Sequence, residues 1–168
     1  LRIGYMVIPE SLVDAFRAIR ALVDFHPSSV PQAALADFIA DGYLATHIRR
    51  MRTLYAERQA AIVAAAADKL DGVLALPPDD AGMHLVGYLH GEPGAVPDAT
   101  PDDQAAVRCA VEAGVITSAL SGYYREAPDR RGLLLGYAGV PTADIDVNIA
   151  ALGRALRDGQ SRWRNCQS

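Results

Sequence analysis

The stretch YLATHIRRMRTLYAERQAAIVAAAADK, residues 43–69, decides how this chain is organised. Apolar side chains recur along it at helical spacing, and its second half, from Ala60 to Ala67, is mostly alanine, the best helix former. The members of the apolar stripe are Leu44, Ile48, Met51, Tyr55 and Ile62. The pattern predicts one helix from about residue 43 to 69, which is longer than a small domain requires and is typical of a helix that bridges two lobes.

On the N-terminal side, residues 1 to 8 are apolar and predict a short buried strand that Pro9 ends. A helix is expected from Ser11, with Leu12, Phe16, Ile19 and Val23 on one stripe, and a second from about residue 32 to 41. The chain begins inside the apolar run and without an initiator methionine, so we interpret it as part of a longer polypeptide.

On the C-terminal side, the texture changes after residue 72. Strands are predicted at 73–76, 83–90, 115–118 and 133–138, a helix from Thr100-Pro101-Asp102-Asp103 to Gly114, and a last helix from Thr142. The tail from residue 159 is polar and is expected to be loose. This order predicts an α+β unit, with helices on one face of a small, mostly antiparallel sheet.

Composition limits the function. The chain has 168 residues, 51% of them hydrophobic and 21% charged, and a net charge of -4, which argues against a nucleic-acid surface on this part. No apolar run reaches the roughly 20 residues that a membrane helix needs. Its two cysteines form no disulfide framework or metal pattern, which favours a reducing cytoplasm.

No catalytic or metal-binding motif is complete, and the candidate site residues are isolated. His84 and His90 share a strand face but lie about 20 Å apart, so they cannot chelate one ion. Arg2 lies in the predicted strand, and an arginine in a strand that ends at a ligand cleft is suited to bind a phosphate, although a surface ion pair would also explain it. The three arginines at 49, 50 and 52 could form an anion site, but a solvated helix face is the simpler interpretation.

Several segments together resemble one family, and they follow its order and spacing over essentially the whole chain. They are LRIGYMVIP (1–9), SSVPQAALADFIADGYLATHIRRMRTLYAERQAAI (28–62), AGMHLVGYL (81–89), GVITSALSGYY (114–124) and GLLLGYAG (132–139). The family is that of the MocR-type regulators, the aminotransferase-like branch of the GntR transcription factors.

The resemblance implies a full-length protein with an N-terminal winged helix that binds DNA and a fold type I aminotransferase-like domain that binds pyridoxal 5'-phosphate (PLP). Residues 1–42 would then belong to the large domain of that fold, 43–70 to a linking helix and 71–168 to the small domain. Arg2 matches the arginine at the PLP phosphate, and the Schiff-base lysine would precede Leu1. The implied partners are a second copy of the protein, DNA through a domain absent here and a small amino compound as effector, with no membrane.

Two departures from the family pattern bear on chemistry. The only lysine is Lys69, within the long helix and far from any Schiff-base position, and we expect a regulator rather than an enzyme. The place of the usual substrate-carboxylate arginine holds Leu134, which leaves Arg125, Arg130 and Arg131 as candidates for that role. The alternatives are the C-terminal part of a true PLP-dependent aminotransferase, or a free-standing α+β binding module without a cofactor.

Overall fold

The computed structural model describes residues 3–23, 28–80, 82–90, 102–126 and 130–164, with side chains described as far as 159. The chain divides into two compact units, Leu1–Met51 and Arg52–Ser168.

The first unit is helical. A 3-10 turn at Glu10–Leu12 leads into α1 (Val13–Val23), followed by α2 (Ser29–Ala40) and the first turns of α3 (Tyr43–Lys69). The second helix begins three residues earlier than predicted, because a proline in the first helical turn loses no intrahelical hydrogen bond. Gly42, at φ 78°, makes the tight turn between α2 and α3. No described residue of the 3-10 turn, α1 or α2 is buried.

A strand was predicted at residues 1 to 8, and this prediction is wrong for residues 3 to 8, the described part, which form no strand. Tyr5 and Val7 are 93% and 88% exposed, so the segment is not buried either. An apolar run becomes a strand only when another backbone pairs with it, and no described segment of this chain does so. The first two residues lie outside the described part.

The prediction of one long helix is confirmed, since α3 runs from Tyr43 to Lys69. Its buried residues are Ile62, Ala65 and Ala66, all in the half that belongs to the second unit. Close packing secures its end: a Cβ added to Gly153 would lie 2.6 Å from the Lys69 carbonyl oxygen. The Arg157 guanidinium donates to that same oxygen at 2.6 Å, which satisfies a helix-terminal carbonyl.

The second unit contains a four-stranded antiparallel sheet, and the predicted α+β class is confirmed. Its strands are β1 (Leu74–Ala75), β2 (His84–Leu89), β3 (Ser118–Ala119) and β4 (Gly132–Gly136), in the order β1-β2-β4-β3. Leu85 pairs with Leu135 across β2 and β4, and Val86 pairs with Leu134. Because directly paired residues share a face, the first pair lies on the buried face and the second on the opposite, half-buried one.

Helices α4 (Asp103–Glu112) and α5 (Thr142–Arg164) pack against each other, and α4 contacts β3 and β4. The fully buried large apolar side chains of the core are Leu70, Leu85, Leu133, Tyr137, Leu152 and Leu156. The loose tail predicted from Gly159 is wrong as far as Arg164, because α5 continues to that residue. A glycine costs a helix only about 1 kcal/mol, and Gly159 is buried, so packing offsets this cost.

Candidate functional site

The buried carboxylate of Asp103 bonds to residues at both ends of the connection between β3 and β4. Asp102 caps α4, and its side chain accepts a hydrogen bond from the Gln104 backbone N–H at 3.0 Å. The next residue, Asp103, has no exposed surface. Its carboxylate accepts hydrogen bonds from the Ser121 backbone N–H at 2.9 Å and from the Ser121 hydroxyl at 2.7 Å.

The same carboxylate also reaches the first residues of β4. The Gly132 N–H donates to Asp103 at 3.4 Å, and an Arg131 guanidinium nitrogen lies 3.6 Å from its other oxygen. Asp103 therefore ties three elements together: α4, the 3-10 turn at Leu120–Tyr123 and β4. Charged groups are buried this completely only when they are paired and hydrogen-bonded.

The three candidate carboxylate-binding arginines have different surroundings. Arg131 is paired with Asp103, so its charge is compensated within the protein. The Arg130 guanidinium lies 3.6 Å from the centroid of the Tyr88 ring and is exposed. Arg125 follows the 3-10 turn and is also exposed.

Leu134 offers only apolar surface at its position. It is half-buried on the face of the sheet that Val86 shares, and its backbone carbonyl accepts a hydrogen bond from the Thr117 hydroxyl at 2.9 Å. Arg130 precedes it by four residues. The structure thus brings an arginine and an apolar strip to one sheet. Arg2 lies outside the described residues, so its predicted role at a phosphate remains a prediction.

Lys69 is the last residue of α3, and two carboxylates surround its ammonium group. Its nitrogen lies 2.6 Å from Asp146 and 3.0 Å from Asp68. The hydrogen bond to Asp146, followed by that to Asp68, raises the pKa of Lys69 above its ordinary value of 10.5. A protonated amine is not a nucleophile, so the sole lysine of the chain is not suited to hold PLP covalently.

A second polar cluster joins α3 to the sheet, and we did not predict it. The buried Tyr137 donates its hydroxyl proton to the Gly82 carbonyl at 2.9 Å. The Gln59 amide donates to the Tyr137 hydroxyl at 3.2 Å and to the Asp79 carbonyl at 2.9 Å. Beside it, the Arg58 guanidinium donates to the carbonyl of Ala138. Arg58 and Gln59 lie in the segment 28–62, one of those that carry the family resemblance, and this is the signal that could have found them.

The remaining candidates show no catalytic arrangement. A groove of about 270 Å³ beside α5 has a mainly apolar lining, with Asn148 and Tyr137 as its polar side chains. His84 and His90 are exposed at the two ends of β2. In the described part of the chain, no group of histidine, cysteine and acidic residues could hold a metal ion, and no helix has the length and apolar character of a membrane span.

Comparison with known proteins gives matches among transcriptional regulators. The chain is 40% identical to the probable rhizopine catabolism regulatory protein MocR of Rhizobium meliloti over 93% of its own length. The predicted resemblance to MocR-type regulators is confirmed. The HTH-type regulators TauR of Rhodobacter capsulatus and YhdI of Bacillus subtilis are 31% and 29% identical over 94% and 92% of the chain. The chain spans about 30% of the length of these regulators. No family model matches it.

Solved structures with the same fold are aminotransferases of fold type I. The α-aminoadipate aminotransferase LysN of Thermus thermophilus, solved with N-(5'-phosphopyridoxyl)-L-leucine, matches 93% of the chain and 38% of its own with a TM-score of 0.76. The aminotransferase Aro9 of C. albicans matches 91% of the chain and 35% of its own with a TM-score of 0.77. Their identities of 20% and 15% show the fold alone. The chain is thus an aminotransferase-like segment whose relatives include MocR and other HTH-type transcriptional regulators.

Proposed function

We propose that this chain is the effector-sensing, PLP-binding, aminotransferase-like segment of a DNA-binding transcriptional regulator. The observation that carries the proposal is the match to MocR at 40% identity over 93% of the chain, on a fold that the chain shares with aminotransferases. The sole lysine, held between two acids, supports a role in this segment other than covalent catalysis. The identity to MocR favours a regulator over a true aminotransferase or a free-standing binding module.

Three parts follow from the proposal. Residues 1–42 are the end of the large domain, residues 43–70 the linking helix and residues 71–168 the small domain. The regulator acts as a cytoplasmic homodimer and contacts DNA through a domain outside this chain. PLP is held at its phosphate by Arg2, and the amine that bonds to PLP is supplied from outside these 168 residues.

Arg130 is the arginine that we assign to the effector's carboxylate. The charge of Arg131 is paired with the buried Asp103. Arg130, in contrast, is exposed, and its guanidinium stacks on the Tyr88 ring. A planar, oriented guanidinium is suited to a carboxylate because both oxygens can be bound together. The effector class is therefore a small amino compound with an anionic group.

The test compares two arginine variants of the full-length regulator, titrated with PLP and followed by fluorescence. Arg2→Ala is expected to weaken PLP binding by roughly 10- to 150-fold, because a charge-assisted hydrogen bond contributes about 1.5–3 kcal/mol. Arg50→Ala is the matched control: Arg50 is exposed on α3, where a lost charge costs under about 1 kcal/mol. Equal losses, or a larger loss for Arg50→Ala, would show that the phosphate site is misplaced.

A further inference from the structure

The position of Arg130 depends on its neighbour in sequence. The Leu89 N–H donates to the Arg131 carbonyl at 3.0 Å, so the pairing of β2 with β4 extends to Arg131. Successive side chains of a paired strand point to opposite faces. Arg131 points to Asp103, on the side where Leu133 is buried, and Arg130 therefore points to the other face, where it lies over Tyr88.

Asp103 holds this register from three directions. It binds the backbone and hydroxyl of Ser121 before the β3–β4 connection, and Gly132 and Arg131 after it. Both ends of the connection that carries Arg125 and Arg130 are thus attached to the first residue of α4. Without the carboxylate, Arg131 would lose its buried partner, and the backbone hydrogen bond between Leu89 and Arg131 would be what remains, among the described contacts, to keep its side chain on the inner face.

The open face beside Arg130 has the chemistry of a small anion site. In the described part of the chain, no carboxylate pairs with Arg130, and stacking on Tyr88 leaves the edge of the guanidinium available. Val86 and Leu134, both half-buried, provide apolar surface on the same face. A ligand with one carboxylate and a short apolar body matches these groups.

We propose that Asp103 is a positioning residue that directs Arg130 to the open face of the sheet, where Arg130 binds the carboxylate of a small molecule. This inference rests on the proposed function, in which that molecule is the effector. Asp103 does not itself contact the ligand. It acts by holding Arg131 on the inner face and by fixing both ends of the β3–β4 connection.

The experiment uses the 168-residue chain and two NMR measurements. Stacking at 3.6 Å predicts an upfield ring-current shift of the Arg130 Nε–H signal, which is identified by its absence in Arg130→Gln. Sodium acetate, exchanged for chloride at constant ionic strength, is the probe for carboxylate binding. We expect Asp103→Asn to abolish the ring-current shift and to weaken acetate binding at least about fivefold.

Asp102→Asn is the matched control, since Asp102 caps the same helix and lies 3.7 Å from Arg108 but has no bond to the described residues of the β3–β4 connection. It should keep the Arg130 shift and leave the acetate affinity within about twofold. A general loss of helix stability would change the Arg130 shift and the acetate affinity in both variants alike. If Asp103→Asn does not fold, Arg131→Gln replaces it: this variant leaves the Asp103 bonds to Ser121 and Gly132 in place and should give the same loss.

The outcomes separate the two proposals. Retention of the Arg130 shift in folded Asp103→Asn or Arg131→Gln overturns the positioning role. A shift that Asp103→Asn abolishes, with no saturable acetate response in the unmodified chain, overturns the anion site and with it the carboxylate part of the proposed function. Loss of both in Asp103→Asn, with both retained in Asp102→Asn, supports the inference.

Discussion

Lys69 should form no covalent adduct with PLP, and its pKa gives the reason. An ordinary lysine with a pKa of 10.5 is only ~0.3% neutral at pH 8. The hydrogen bonds that Lys69 donates to Asp146 at 2.6 Å and to Asp68 at 3.0 Å raise this pKa, so the neutral fraction of Lys69 is smaller still. A lysine that reacts with PLP near neutral pH needs the opposite shift.

The perturbation is Asp146→Asn, which removes the larger of the two causes. The pKa of Lys69 should fall toward 10.5 and not below it, because Asp68 remains in place. As the chain has one lysine, a ¹⁵N titration of the side-chain amine reports this group without overlap. A raised folded-state pKa also means that these ion pairs stabilise the fold below about pH 10.5. Their contribution is lost as the pH rises through the folded-state pKa, where the urea midpoints of the two proteins should converge.

Two results would refute this reasoning. One is a measured pKa of Lys69 at or below 10.5 in the unmodified chain. The other is a saturable absorbance band on mixing with PLP that borohydride traps and that peptide mapping assigns to Lys69. Either would show that the two acids do not hold the amine as described.

Two further predictions concern packing and surface. Leu152 has no exposed surface, so Leu152→Ala should lower the free energy of unfolding by about 2–5 kcal/mol in urea titrations. Ile116 is 92% exposed, so Ile116→Ala should change the free energy of unfolding by no more than about 0.5 kcal/mol. Similar losses for the two variants would contradict the described core. The chain should also self-associate through residues 1 to about 42, since Phe16 and Ile19 are 42% and 61% exposed. Light scattering should show less association for Ile19→Asp, and a monodisperse monomer of the unmodified chain at high concentration would count against the prediction.

Local patterns in the sequence were sufficient to predict those helices and strands that depend mainly on residues close in sequence. The long helix was predicted with its observed limits, because alanine content and a 3.6-residue stripe act within a few turns. The alternation along residues 83–90 predicted a strand, and β2 runs from His84 to Leu89. The helix α4 was predicted as well, but its start was placed at Thr100, whereas the cap is Asp102 and the helix begins at Asp103.

By itself, then, the sequence determined the α+β class, the long helix and the resemblance to MocR-type regulators. Only the tertiary structure decided the partners of Asp103, which lie 18 and 29 residues away at Ser121 and Gly132, and those of Lys69, which include Asp146 on another helix. It also left residues 3 to 8 without the strand that the apolar composition of this segment predicted. The physical reason is the same in each case: a paired charge or a hydrogen-bonded strand depends on which distant backbone or side chain comes within about 3 Å, and no local pattern encodes that distance.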